Sequence, residues 1–134
     1  MSLLTRLSLI SSAAFLISCG DKDSGDSSTC SGTVHTVTTT DDSSDMEVYM
    51  DFSPEDLTIA AGDCVEFVMS NTHNAVEISQ ESYESSPPSG TPLDGGFQVN
   101  FGETLEVQFD DPGVHYYVCQ PHISMGMLGT ITVE

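Results

Sequence analysis

From Thr33 to the C-terminus the sequence holds no sustained 3.6-residue apolar period; its apolar side chains come in short alternating runs separated by Gly and Pro. That pattern builds sheets, not helices. Thr33 to Thr40 is dense in β-branched residues. Met46 to Phe52 alternates, with Met46, Val48, Met50 and Phe52 on one face, and Pro54 ends the run. Ala61-Gly62-Asp63 turns the chain into Cys64 to Met69, where Val65, Phe67 and Met69 point one way. Leu105, Val107 and Phe109 alternate with Glu106 and Gln108 before the turn Asp110-Asp111-Pro112-Gly113. Val114 to Val118 and Thr130 to Val133 supply further strands. Runs spaced about 8–14 residues apart predict an all-β, Greek-key antiparallel sandwich of about 7–8 strands. Trp is absent, so Val, Ile, Leu, Phe and Met must make most of its core.

One stretch breaks the rhythm. Ser79 to Gly96 holds three Pro, three Gly and five Ser. A structureless segment of that length inside a domain is functional or mobile, and it reads as an acidic surface loop with one helical turn around Gln80 to Glu84.

The N-terminus is of another kind. Arg6 precedes the apolar run Leu7 to Ile17, too short to span a bilayer stably as a mature helix. Leu16-Ile17-Ser18-Cys19 resembles a bacterial lipobox, which implies lipidation of Cys19 as the mature first residue; the alternative is a plain secretory peptide in which Cys19 is incidental. Gly20 to Thr29 has no apolar residue and cannot bury surface to offset its ordering entropy. The expected organisation is therefore a signal peptide over 1–18, a flexible acidic tether over 19–29 and one folded domain over 30–134. An exported protein meets oxidising surroundings, which favour joining Cys30 to Cys64. Two unpaired thiols are the alternative, because sequence does not set their separation.

Charge narrows the partners. Twenty-one Asp and Glu against two Lys and Arg give a formal net charge of −19. Such a surface repels nucleic-acid phosphates and anionic lipid head groups, and it attracts cations or a basic protein. Solubility or adaptation to salt explains the same acidity equally well.

The chemistry is concentrated in Cys119-Gln120-Pro121-His122-Ile123-Ser124-Met125-Gly126-Met127-Leu128-Gly129. A thiolate, an imidazole and a thioether here lie between two β-rich runs, and soft sulfur with imidazole suits copper, especially Cu(I). Two residues between Cys119 and His122 let both side chains turn inward from one tight loop, which Pro121 stiffens. A third strong ligand has to come from elsewhere, and His73, between two expected strands, is the candidate. A thioether is a poor fourth ligand for structural zinc, and a binuclear copper centre needs a second Cys in this loop.

At these residues the chain resembles the cupredoxins, small blue-copper proteins. Cys-x-Pro-His-x-x-Met-Gly-Met-x-Gly is similar to the pseudoazurin, plastocyanin and amicyanin branch, as is Ala61-Gly62-Asp63-Cys64-Val65-Glu66-Phe67 followed by His73-Asn74. The resemblance is good over about residues 55–134, and the earlier strands match only in character. It implies one type 1 copper ion, with His73 and His122 as imidazole ligands, Cys119 as thiolate and Met127 as weak axial ligand, Met125 being the rival. It implies further that Asn74 holds the Cys119 loop and directs a backbone N–H at the Cys119 sulfur. His122 then reaches the surface among Pro121, Ile123, Met125 and Leu128. The implied function is single-electron transfer without catalysis, by a monomer held to a membrane through its N-terminal lipid and facing the periplasm or cell exterior. Its partner is then a redox protein with a basic docking face, such as a c-type cytochrome. The rival functions are a copper carrier or storage module that hands the metal on and, more remotely, a copper enzyme such as a nitrite reductase, which requires extra His ligands from a second domain.

Overall fold

The computed structural model describes residues 29–41 and 50–134. The expected signal peptide, Cys19, nearly all of the tether, Met46 and Val48 lie outside the described residues. Nine strands are present among them: β1 (Val34–Thr39), β2 (Phe52–Ser53), β3 (Asp56–Ile59), β4 (Asp63–Val68), β5 (Ala75–Ile78), β6 (Gln98–Val99), β7 (Thr104–Phe109), β8 (Gly113–Val118) and β9 (Leu128–Val133). A short helix α1 (Gln80–Glu84) follows β5, and a 3₁₀ helix spans Gln120–Met125. Ser79 caps α1, its hydroxyl accepting from the Ser82 N–H at 3.1 Å. No helix among the described residues is long and apolar enough to cross a membrane.

The strands form two sheets, ordered β2-β1-β4-β7 and β3-β9-β8-β5-β6. The sandwich is as expected, but two of its pairings are parallel, not antiparallel. β1 runs parallel to β4, with Val34 opposite Cys64 and Thr38 opposite Val68, and β3 runs parallel to β9. The reason lies at Pro54. β2 and β3 are separated only by Pro54 and Glu55 yet belong to different sheets, because proline has no N–H to continue a ladder. A chain that crosses to the second sheet and returns re-enters the first beside β1 in the same direction. The count exceeds the expected 7–8 because β2 and β6 are two-residue pairings.

The expected run up to Phe52 needs a second correction. Met50 sits in a turn at φ 68°, a left-handed conformation that cannot continue a strand, and pairing starts only at Phe52. Met50 still packs against the core from its edge, while Met69 lies within it.

The core fills the space between the sheets. Tyr117, fully buried on β8, stands edge-on to Phe52 and Phe67 at centroid distances of 4.7 and 5.5 Å. β5 is buried along its whole length, as a strand covered on both faces must be. At the far end of β4 from the His73 loop, Cys30 and Cys64 are joined, with Cα atoms 5.9 Å apart.

Candidate metal centre

Both chain segments that carry the expected ligands leave strands at the same end of the sandwich. His73 lies in the turn between β4 and β5, where Ser70 O accepts from the His73 N–H at 3.2 Å and the Gly102 N–H at 2.8 Å. Cys119 follows β8 directly and precedes the 3₁₀ helix, which has Pro121 in its first turn and Gly126 at its end with φ 90°. A left-handed residue there suits glycine, since a side chain would crowd the following carbonyl. The loop is closed by main-chain bonds: Cys119 N–H to Met127 O at 3.1 Å, Met127 N–H to His122 O at 3.3 Å, and His122 N–H to Cys119 O at 3.1 Å.

These supports bring three donor atoms together. His73 Nδ1 lies 3.5 Å from Cys119 Sγ, His122 Nδ1 lies 3.4 Å from the same sulfur, and the two nitrogens are 3.0 Å apart. His73 and Cys119 are completely buried, whereas His122 keeps some exposure. A point equidistant from the three atoms lies about 1.9 Å from each, close to metal–imidazole and metal–thiolate lengths of roughly 2.0–2.3 Å. One ion therefore fits with a slight opening of the triangle, and the soft S and N donors suit copper. Met127 is fully buried beside them in the chain, while Met125 is 60% exposed.

Burial disfavours charge on the donors themselves. Burial pushes the Cys119 thiol up, against backbone N–H groups of Asn74 and His122 that pull it down. Burial, then the neighbouring His73 ring, pushes His122 below the usual histidine range, leaving a neutral ring with a lone pair to offer. A bound cation reverses the thiol preference, since metal binding releases the proton.

The surrounding contacts hold this arrangement. Asn74, nearly buried, accepts from the Gln120 N–H through Oδ1 at 2.9 Å and donates from Nδ2 to Gln120 Oε1 at 3.0 Å. Gln120 Nε2 in turn donates to Gly90 O at 2.8 Å, so the Ser-rich loop packs against the Cys119 loop. His73 Nε2 contacts Asp41 Oδ1 at 2.5 Å. His35 and His115 lie outside the cluster: His35 pairs with Asp63 at 3.0 Å and His115 with the buried Glu77 at 2.6 Å. Sequence reasoning passed over Asp41 and Gln120. Gln120 is an unmarked residue within the loop motif, and Asp41 is one acid among 21.

Comparison with known proteins agrees with this geometry. A family described as copper binding proteins, plastocyanin/azurin family, matches residues 34–134. The plastocyanin of Prochlorothrix hollandica is 40% identical over 86 residues, covering 62% of this chain and 63% of that protein. A putative pseudoazurin of Rhizobium leguminosarum bv. viciae is 36% identical over 85 residues, covering 63% of this chain and 51% of that protein. The chain thus spans between half and two thirds of these two curated relatives. Among solved structures, a pseudoazurin from Sinorhizobium superposes with a TM-score of 0.58 at 26% identity, covering 77% of this chain and 75% of that one. The native pseudoazurin from Hyphomicrobium denitrificans superposes with a TM-score of 0.56 at 27% identity, covering 75% of each chain.

Proposed function

Because the chain belongs to the plastocyanin/azurin family of copper-binding proteins, we propose that it is an electron carrier, not an enzyme, with His73, Cys119, His122 and Met127 holding one copper ion. The observation that carries this reading is the triangle of His73 Nδ1, Cys119 Sγ and His122 Nδ1, with sides of 3.0 to 3.5 Å. A copper ion held there supplies a one-electron Cu(II)/Cu(I) couple. The protein's part is to keep the donors where both oxidation states accept them. Main-chain bonds among Cys119, His122 and Met127 and the Asn74–Gln120 pair supply that rigidity. With Met127 as the fourth donor no position is left for a substrate, which fits a carrier.

His122 is the ligand through which electrons leave. It is only partly covered, and Met125 and Pro121 beside it are exposed, giving an apolar rim for brief docking. The described residues contain no Lys or Arg, so the flanks are acidic and suit a redox partner with a basic face, such as a c-type cytochrome. The chain acts as a monomer, exported and tied to a membrane facing the periplasm or cell exterior through a lipid on Cys19. Residues 1–18 are its signal peptide, 19–29 its tether and 30–134 its cupredoxin domain. The Leu16-Ile17-Ser18-Cys19 sequence and the apolar-free stretch after it support that placement.

An absorption spectrum of the copper-loaded protein tests the site. An intense thiolate-to-Cu(II) band in the visible, bleached on reduction and absent in Cys119→Ser, is expected; a colourless Cu(II) form overturns the reading. A reversible couple in voltammetry separates a carrier of electrons from a module that only hands copper on. Fatty-acid labelling that survives Cys19→Ala overturns the lipid anchor.

A further inference from the structure

His73 has two ring nitrogens facing opposite ways. Nδ1 points at Cys119 Sγ and His122 Nδ1, and Nε2 meets Asp41 Oδ1 at 2.5 Å. The ring is completely buried, so Asp41 lies behind it as seen from the donor triangle. We propose that Asp41 is a positioning residue that fixes the His73 ring in its metal-binding form and lowers the reduction potential of the site. The redox half of this inference rests on the copper reading above.

A neutral imidazole carries one N–H and one lone pair, and the partner of one nitrogen decides which is which. A carboxylate only accepts, so Asp41 places the proton on Nε2 and leaves the Nδ1 lone pair toward Cys119 and His122. Asp41 does not swing freely. Thr72 Oγ1 donates to the same Oδ1 at 3.2 Å, and Thr72 is itself hydrogen-bonded to Ser70 Oγ at 3.0 Å. The Ser70 N–H reaches Thr39 Oγ1 at 3.4 Å, tying the end of β1 to the end of β4.

The sheet makes this meeting possible. β1 and β4 are parallel neighbours, so both chains leave the sheet at the same end. Asp41 stands two residues beyond β1 and His73 five beyond β4. An antiparallel pairing would have sent them to opposite ends.

A carboxylate on the outer nitrogen makes the ring a stronger donor, and its negative charge favours the ion of higher charge. Cu(II) is therefore stabilised more than Cu(I). The Asp41 side chain is 48% exposed, so water screens part of its charge, but the buried ring carries the effect inward. The Asn74 N–H at Cys119 acts oppositely, relieving the sulfur of negative charge.

Three variants of the full-length protein test this. Asp41→Asn keeps an acceptor for Nε2–H without the charge, Asp41→Ala removes both, and Asp111→Asn removes a charge from the exposed turn at the opposite end. In the metal-free protein, ¹⁵N–¹H correlation of the His73 ring should show the proton on Nε2 in the wild type and in Asp41→Asn, and a tautomer mixture in Asp41→Ala. In the copper form both Asp41 variants should lose roughly tenfold in Cu(II) affinity relative to Cu(I), a rise of about 59 mV in potential. Asp111→Asn should stay at the wild-type value. A wild-type ring protonated on Nδ1 overturns the positioning role. Blue Asp41 variants with the wild-type potential overturn the tuning role and leave the copper site standing. A wild type lacking the thiolate-to-copper band instead defeats the copper reading and the tuning role together, while the ring measurement still decides the positioning.

Discussion

Asn74 and Gln120, 46 residues apart, are joined by a reciprocal pair of hydrogen bonds, Gln120 N–H to Asn74 Oδ1 at 2.9 Å and Asn74 Nδ2 to Gln120 Oε1 at 3.0 Å. The pair locks the strand-to-strand turn that carries His73 to the loop that carries Cys119 and His122. Asn74→Ala breaks both bonds at a nearly buried position and should cost about 1–3 kcal/mol in urea unfolding of the metal-free protein. An unchanged unfolding midpoint would show that the two segments are held together without it.

Met127 and Met125 are separated by exposure. Met127 is fully buried and its main chain is bonded to both Cys119 and His122, whereas Met125 is 60% exposed. Met127→Leu should shift the visible spectrum and the potential while costing less than about 1.5 kcal/mol in stability, because the volumes are close. Met125→Leu should leave the spectrum as it is. The reverse pattern would assign the axial position to Met125.

Gly129 lies under the Tyr117 ring. A Cβ at that position would fall against Tyr117 Cζ and Oη, and Tyr117 is wedged among Phe52, Phe67 and Phe97 with no room to retreat. Gly129→Ala should therefore destabilise the fold by about 1–3 kcal/mol or more. Thermal unfolding of the metal-free variant measures it, and a wild-type Tm would mean that the ring can move aside.

Asp63 gives the fold an acid limit. The His35 ring, then the Thr33 and Ala60 N–H groups, donate to its carboxylate and hold it below the usual 3.8. A carboxyl depressed in the folded state adds stability that is complete above the unfolded value and is lost as pH falls through the folded one. The stability gap between wild type and Asp63→Asn should thus be full at pH 6 and close progressively below about pH 4. Urea midpoints across that range read it; a gap independent of pH would exclude the carboxylate as its source.

The Cys30–Cys64 bridge closes a loop of sequence separation 34. Chain entropy assigns such a closure about 3–4 kcal/mol. Replacing both by Ser should lower stability by that order while leaving the thiolate-to-copper band intact, since the bridge sits at the far end of β4 from the His73 loop. A lost band with the fold retained would reveal coupling along the strand.

Much of this was legible in the residues themselves. Period-two alternation from Val65 to Met69 marked a strand, and Gln80 to Glu84 read as a helical turn, because both depend on neighbours within a few residues. The donors of the Cys119–Met127 loop were readable for the same reason: spacing, Pro121 and Gly126 dictate a tight turn locally. What tertiary structure alone decided is everything that crosses the sandwich. Local periodicity carries no information on strand order, so the parallel β1–β4 and β3–β9 pairings were not foreseen. The β1–β4 pairing, and not any motif, puts Asp41 against His73 across 32 residues. His73 and Cys119 were named from residue type, but only the folded sheets brought Nδ1 and Sγ to 3.5 Å.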